Sequence, residues 1–291
     1  MKLSEKYGYI PEPKEIDAFV ADTRSNVSKW ENATVYKRCL GLIDLTSLHV
    51  TDTPAGIEAM VDKVNNFKAH FPDLDLPASI CAYPNFAGVI NKARKAKSVH
   101  ITCVGGCFPA SQSFLDVKIM ECSHAVEDGA DEIDIVLAQN AFLGGDYDRT
   151  ANEIKAIGKS IRALNVKVIL KVILETGTLN PEQIAEASFL AIEAGANFIK
   201  TSTGKTERSA TPEAAVIMCN CIKAYSQANG KKIGFKPAGG IASAEDASLF
   251  YGIVESILGP EWLVPELFRF GASRMANNLL AAIKGEPVKY Y

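Results

Sequence analysis

A lysine within an apolar strand is the residue of this sequence that is best placed to do covalent chemistry. Lys200 lies in FIKTSTGK (198–205), directly after the EAGAN of residues 193–197, which is typical of a helix end. Because an ammonium group is costly to bury, a core strand avoids lysine unless it is paired, neutralised or chemically used. We therefore interpret Lys200 as a nucleophile.

Two further charged residues lie near the C-terminal ends of other apolar stretches. Residues 127–134 (EDGADEID) and 193–200 (EAGANFIK) share a layout in which a helix-ending glycine is followed five positions later by a charge, so Asp134 and Lys200 occupy equivalent places. Lys236 precedes Pro237, which keeps the residue before it extended and so places Lys236 near a strand end. Three such groups on separate strands predict one shared site.

The chemistry that suits these three residues is imine formation. A lysine with the ordinary pKa of about 10.4 is a free amine in only about one molecule in 2,500 at pH 7. Burial and a second cation both lower that pKa, and Lys236 is the natural second cation. Asp134 would shuttle protons through water. The set describes a class I aldolase.

Simpler roles stay open at this point. Lys236 alone fits a solvated rim residue, and Asp134 fits a structural ion pair for Lys200. Lys171, in VILKVILE (168–175), is another buried-looking lysine. We expect it to pair with a barrel carboxylate such as Asp134.

The elements that must position these groups alternate along the chain. Apolar, β-branched runs predict strands at 40–47, 78–83, 99–105, 132–138, 167–174, 198–202, 232–237 and 267–271. Helical patterns lie between them at 54–70, 87–97, 113–128, 148–164, 181–194, 212–228, 244–258 and 274–284. Strict alternation predicts an α/β fold with a parallel sheet, and eight units favour a closed TIM (β/α)8 barrel over a doubly wound open sheet.

Helix starts carry capping signals. A capping side chain precedes a proline at Thr53-Pro54, Asn180-Pro181 and Thr211-Pro212. Ser113 with Asp116 and Ser243 with Asp246 resemble capping boxes. Residues 1–38 are polar, with a helix expected around 14–30, and we assign them to an N-terminal helical extension outside a barrel domain of residues 39–291 that includes the C-terminal tail.

A closed barrel would gather the active groups at the carboxyl ends of its strands. Asp134 and Lys200 come from the fourth and sixth strands, so they belong to the same interior layer, and Lys236 comes from the seventh. Gly239 and Gly240 follow the seventh strand, and 271–273 (GAS) follow the eighth. This is where barrel enzymes hold phosphate on backbone N–H groups, although the same glycines also suit tight turns.

Composition excludes several classes of function. The chain has 291 residues, 47% of them hydrophobic, and a formal net charge of −3 with interspersed charges, which predicts neither nucleic-acid nor membrane partners. The N-terminus lacks a signal-peptide core and the seven cysteines suit reduced thiols, so we expect a cytoplasmic protein. Scattered histidines and cysteines predict no metal site, and the sequence has neither a P-loop nor a dinucleotide fingerprint, so no cofactor is expected.

The motifs in order resemble the deoxyribose-phosphate aldolase family over about residues 38–291. The resemblance rests on IDLTSL (43–48), ICAYP (80–84), GADEIDIV (129–136), LKVILETG (170–177), FIKTSTGK (198–205), GFKPAGGI (234–241) and RFGAS (269–273). It implies a TIM barrel that reversibly cleaves 2-deoxy-D-ribose 5-phosphate to acetaldehyde and D-glyceraldehyde 3-phosphate, without metal or organic cofactor.

The resemblance also implies roles for single residues. Lys200 matches the Schiff-base lysine, Lys236 the lysine that lowers its pKa, and Asp134 the proton-relay aspartate. Substrate-contacting positions correspond to Asp44, Thr46, Cys81, Lys171, Thr203, Gly204, Lys205, Gly239, Gly240, Gly271, Ser273 and Tyr291. Tyr291 matches a C-terminal tyrosine that reaches the active site in some members.

Two features depart from the family pattern. Arg274 stands where some members have a second serine, and residues 1–38 are longer than in compact bacterial members. Assembly as a homodimer is compatible with the resemblance. Two other functions stay open, a class I aldolase for a different phosphorylated sugar and a non-catalytic barrel that binds phosphosugars.

Overall fold

The computed structural model of the chain describes residues 2–291, and over that range strands and helices alternate around one sheet. The eight strands are β1 Ile43–Thr46, β2 Ser79–Ala82, β3 His100–Gly105, β4 Glu132–Val136, β5 Ile169–Ile173, β6 Phe198–Lys200, β7 Gly234–Lys236 and β8 Phe270–Ala272. The α-helices are α1 Leu3–Lys6, α2 Pro13–Ser25, α3 Ala33–Gly41, α4 Pro54–His70, α5 Ala87–Ala93, α6 Leu115–Glu127, α7 Gln139–Leu143, α8 Tyr147–Leu164, α9 Pro181–Glu193, α10 Pro212–Asn229, α11 Ala244–Leu258 and α12 Arg274–Lys284.

The sheet closes on itself. Strands pair in parallel in the order β7-β6-β5-β4-β3-β2-β1-β8, and β1 pairs with both β2 and β8. Parallel bridges at Phe235–Phe268 and Ala238–Gly271 join the two outer members of that order. The predicted TIM barrel is therefore confirmed, and the open doubly wound alternative is wrong.

Most of the predicted helix caps form. The side chains of Thr53, Asn180 and Thr211 accept hydrogen bonds from the first-turn N–H groups of α4, α9 and α10, each with proline just inside the helix. Ser243 and Asp246 make a reciprocal capping box on α11. The capping box predicted at Ser113 is wrong, because α6 begins after Phe114, whose side chain supplies no cap.

The N-terminal region contains more helix than the sequence predicted. The helix expected around 14–30 ends at Ser25 and is followed by a 3-10 turn at Val27–Lys29. Helix α3 crosses the predicted boundary at residue 38, so the strand expected from residue 40 begins at Ile43. Helices α1 and α7 were also missed, since segments of four and five residues are too short to show helical periodicity. Within residues 2–291, no helix is long and apolar enough to cross a membrane.

The N-terminal extension packs on the outer helices of the barrel. Glu186 on α9 accepts the backbone N–H groups of Leu3 and Ser4 at 2.9 Å each, which caps α1 from outside. The indole of Trp30 donates to Glu255 at 2.6 Å, and the hydroxyl of Ser248 donates to the Trp30 carbonyl at 3.1 Å, both from α11. The extension thus covers helices rather than the mouth of the barrel.

Gly252 on α11 provides a test of this packing. A Cβ added there would lie 2.6 Å from a ring carbon of Trp30, so Gly252→Ala must displace the indole. We expect the free energy of unfolding to fall by about 1–3 kcal/mol in urea titrations, although alanine is the better helix former by about 1 kcal/mol. In a Trp30→Ala background the same substitution should stabilise the protein. If Gly252→Ala stabilised the protein that retains Trp30, the packing of the indole against Gly252 would be contradicted.

Candidate active site

The interior of the barrel holds a cluster of charged side chains beside its apolar ones. Side chains alternate across a strand, so residues two apart on one strand share the inner face. Among the described residues, seven charged side chains that contact one another are buried there: Asp44, Glu132, Asp134, Lys171, Lys200, Lys236 and Arg269. Ions are found in such an environment when they are paired and hydrogen-bonded.

Lys200 ends β6, and only 4% of its side chain is exposed. Its Nζ donates to Asp134 Oδ2 at 2.8 Å. Burial lowers the pKa of Lys200 below its ordinary value, and the neighbouring Lys236 lowers it further, while Asp134 opposes the shift. Burial is therefore the larger cause, and the second cation assists it.

Asp134 connects three lysines. Its Oδ1 accepts from Lys171 at 3.1 Å, and its Oδ2 accepts from both Lys200 and Lys236 at 2.8 Å. Burial alone would raise the pKa of this carboxyl, but the three ammonium groups outweigh burial and hold it well below its usual range. Asp134 is thus a carboxylate at neutral pH.

Lys236 is a fixed cation beside Lys200. Its Nζ donates to Asp44 Oδ2 at 2.5 Å and to Asp134 Oδ2 at 2.8 Å. Burial disfavours its charge, but the two carboxylates outweigh burial and raise the pKa of Lys236. The pKa values of two buried lysines that share one carboxylate oxygen are therefore shifted in opposite directions.

Charge balance explains why Lys200 is the lysine of this cluster whose pKa is lowered. Of the seven interior groups, Asp44, Glu132 and Asp134 are anions, and each keeps a lowered pKa despite burial because cations contact it. Lys171, Lys236 and Arg269 each have a raised pKa because carboxylates outweigh the effect of burial. Three charges of each sign cancel when Lys200 is a free amine. Protonating Lys200 would leave one unbalanced charge in a low-dielectric interior.

Glu132 and Arg269 are members of this cluster that sequence reasoning missed. Arg269 Nη1 donates to Asp44 Oδ1 at 2.6 Å and Nη2 donates to Glu132 Oε1 at 2.8 Å, and Glu132 also accepts from Lys171. The signal was available: Glu132 stands two residues before Asp134, and Arg269 two before Gly271. The period of two along a strand therefore puts each on the inner face.

A cavity of about 180 Å³ opens above Lys200 at the carboxyl ends of the strands. Lys200 lines it, together with other predicted residues from the β1, β6, β7 and β8 ends: Thr46, Thr203, Gly204, Lys205, Gly239, Gly240, Gly271 and Ser273. His49, which the sequence did not single out, and Arg274 also line it. The remaining predicted residues lie elsewhere.

Those remaining residues occupy two places. Asp44, Cys81, Asp134, Lys171 and Lys236 are buried in the interior rather than in the cavity wall. Tyr291 lies in an adjoining cavity of about 330 Å³ that shares Thr46, His49, Ser273 and Arg274 with the first. Its ring stacks on Phe67 at 5.7 Å. The structure therefore does not bring Tyr291 into the cavity that Lys200 lines.

One end of the cavity is built for an anion. Gly239 and Gly240 have φ values of +84° and +80°, and a Cβ at Gly239 would lie 2.7 Å from Ser209, so both the backbone conformation and the packing there require glycine. Helix α12 begins at Arg274, and a helix N-terminus attracts negative charge. Lys205 adds an ammonium, placed 2.5 Å from the Leu48 carbonyl. These groups suit phosphate recognition.

Glu175 orders the β6 loop that carries Lys205. This buried carboxylate accepts the Thr203 N–H at 3.2 Å, the Thr203 hydroxyl at 2.5 Å and the Thr206 hydroxyl at 3.2 Å. Its left-handed backbone, with φ of 53°, is uncommon for a residue other than glycine. Within residues 2–291, no three His, Cys, Asp or Glu side chains are grouped so as to hold a metal ion.

The chain is similar in sequence and in structure to known aldolases. Residues 39–255 match the sequence profile described as DeoC/LacD family aldolase. The deoxyribose-phosphate aldolase of Agrobacterium fabrum is 40% identical over 253 residues, covering 86% of this chain and 92% of that protein. The human deoxyribose-phosphate aldolase is 36% identical over 271 residues, covering 88% and 82%. A solved structure, QR15, an aldolase, has a TM-score of 0.66 at 30% identity and covers 84% of this chain and 96% of its own.

The charge balance predicts the effect of removing Lys236. In Lys236→Leu the interior lacks one cation, so a protonated Lys200 restores neutrality and the pKa of Lys200 rises. We expect the pH midpoint for reductive alkylation of Lys200 by an aldehyde to move up by about one unit or more. Lys284→Leu removes the same charge from the end of α12 and should leave the midpoint unchanged. An unshifted midpoint in Lys236→Leu would show that this cation does not tune Lys200.

Proposed function

The chain belongs to the DeoC/LacD family of aldolases, and we propose that it reversibly cleaves 2-deoxy-D-ribose 5-phosphate to acetaldehyde and D-glyceraldehyde 3-phosphate through a Schiff base on Lys200. The observation that carries this proposal is the position of Lys200. A protonated Lys200 would be the fourth cation beside three buried anions. Its side chain also lines a cavity whose other lining groups suit an anion. A buried amine with a lowered pKa that faces a cavity is what imine chemistry requires.

The cleavage steps follow from this geometry. The Lys200 amine adds to the C1 aldehyde of the open-chain sugar, and loss of water from the carbinolamine gives an iminium. The C2–C3 bond then breaks, its electron pair forms an enamine with the iminium carbon, and the C3 hydroxyl loses its proton as glyceraldehyde 3-phosphate forms. Protonation of the enamine at C2 and hydrolysis release acetaldehyde and restore the amine. The iminium is the electron sink that makes the step feasible.

Asp134 and Lys236 support the proton transfers. Asp134 is held as a carboxylate next to Lys200, so it can accept, through a water molecule, the proton that the C3 hydroxyl loses and return it to the enamine carbon. Lys236 keeps its charge and orients Asp134 through the 2.8 Å contact to Oδ2. Lys171 holds the other oxygen of Asp134, so the carboxylate cannot rotate freely.

The cations at the cavity favour a substrate with one phosphate. Lys205, Arg274 and the Gly239–Gly240 backbone line the same cavity as Lys200. A five-carbon monophosphate bound there would extend its aldehyde towards the amine. This arrangement favours deoxyribose 5-phosphate over a bisphosphate sugar, which would need a second cationic end.

The cellular setting and the assembly belong to the same proposal. All seven cysteines are free, which supports a reducing cytoplasm. Phe114, Val117 and Met120 on and next to α6 are exposed apolar residues that support self-association as a homodimer. Light scattering of the purified protein should give the molecular mass of two chains.

Trapping the intermediate tests the proposed function. Acetaldehyde with borohydride should leave a reduced N-ethyl adduct that peptide mass spectrometry places on Lys200. Lys200→Arg should lose both the adduct and at least about a thousandfold of the activity, because a guanidinium stays protonated. The protein should release acetaldehyde from deoxyribose 5-phosphate and not cleave fructose 1,6-bisphosphate. An adduct on another lysine, or full activity in Lys200→Arg, would overturn the proposal.

A further inference from the structure

The end of the barrel opposite the cavity contains a histidine that the proposed reaction does not use. His100 begins β3, and 42% of its side chain is exposed. It lines a cavity of about 680 Å³ at the base of the barrel, where the strands begin. Protons from solvent can therefore reach its imidazole without passing the mouth of the barrel.

His100 is joined to Lys200 by a chain of buried ionic contacts. Its Nδ1 lies 2.7 Å from Glu132 Oε1, and the other oxygen of Glu132 accepts from Lys171. Lys171 reaches Asp134 Oδ1 at 3.1 Å, and Asp134 Oδ2 accepts from Lys200 at 2.8 Å. All the groups between the two ends are buried. The chain therefore crosses the barrel from one face to the other.

A second branch reaches Lys236. Arg269 donates to Glu132 Oε1 at 2.8 Å and to Asp44 Oδ1 at 2.6 Å. Asp44 in turn accepts from Lys236 at 2.5 Å. Glu132 is thus shared between His100 and both branches, so a charge change at His100 acts on the one carboxylate that both branches contact.

We propose that His100 is a positioning residue for the aldol reaction, because its protonated imidazole adds a positive charge at the base of the barrel that keeps Lys200 in its free-amine form. This inference rests on the proposed role of Lys200. The interior is neutral with an unprotonated Lys200, so a charged His100 makes the cluster positive and a proton on Lys200 still less favourable. Protonation of the two sites is coupled and reciprocal.

The surroundings of His100 support its protonation near neutral pH. The hydrogen bond to Glu132 raises the pKa of His100, burial lowers it, and the charge of Glu132 raises it again. The charge of Arg269 lowers this pKa and the charge of Asp131 raises it. Further charged groups on the same cavity are Arg38, Lys68, Asp75 and Glu266. His100 is therefore charged below its raised pKa and neutral above it, and it extends the active amine form of Lys200 towards lower pH.

Two substitutions with opposite charge effects test the inference. His100→Gln keeps an amide that can donate to Glu132 but removes the charge, so the acidic limb of the kcat/KM profile should move up by about half a pH unit. His100→Lys keeps a permanent charge, so that limb should lie at or below its position in the unchanged enzyme. His124→Gln removes a histidine paired with Glu127 on the outer helix α6 and should leave the profile unchanged.

The direction of the shifts decides the outcome. A His100→Gln limb that coincides with that of the unchanged enzyme would overturn the inference. Limbs that move the same way in both variants would also overturn it, since lost packing acts alike in both. A readout that needs no activity is the NMR titration of His100 in Lys200→Met and Lys200→Arg. A lower pKa of His100 with arginine supports coupling, and equal values overturn it. Absence of aldolase activity in the unchanged protein would contradict the proposed function instead.

Discussion

Electrical neutrality inside the barrel is the constraint on which this structure depends. Most barrel interiors are packed with branched aliphatic side chains, whereas this one holds seven ionisable groups. Buried ion pairs contribute little net stability, because desolvation offsets attraction, but an unpaired buried charge is severely unfavourable. Three carboxylates balance three cations, and the fourth cationic side chain, Lys200, shares Asp134 with Lys171 and Lys236. The reactivity proposed for this lysine is therefore a property of the whole cluster.

The fold makes that balance possible by the register of neighbouring strands. Asp134 lies opposite Lys171 on β5, and Lys200 lies opposite Lys236 on β7, so the groups meet within one region of the interior. The short β6 then ends at Lys200, and the chain turns at once into the loop that Glu175 orders. The interior charge cluster and the loop that lines the cavity are thus consecutive in sequence, and Lys200 belongs to both.

Much of this arrangement was predictable from local signals. Proline and capping residues located helix starts such as that of α4, and the strand alternation gave the barrel, because both are short-range effects that one sequence contains. The failed capping box at Ser113 and the unpredicted α3 depend on tertiary packing that local patterns do not encode. Glu132 and Arg269 were missed because they stand at or just before the start of their strands rather than at the carboxyl ends, although the period of two places both on the inner face. The docking of Tyr291 beside the cavity depends on Phe67, which lies far away in the chain.

Direct measurement of the ionisation of Lys200 tests the central claim. NMR titration of the protein with isotopically labelled lysine side chains reports each ammonium separately in the free enzyme. Lys200 should titrate below the ordinary lysine pKa, while Lys171 and Lys236 remain charged beyond it. A Lys200 that keeps its proton up to or beyond the ordinary value, or a Lys236 that loses its own first, would contradict the account.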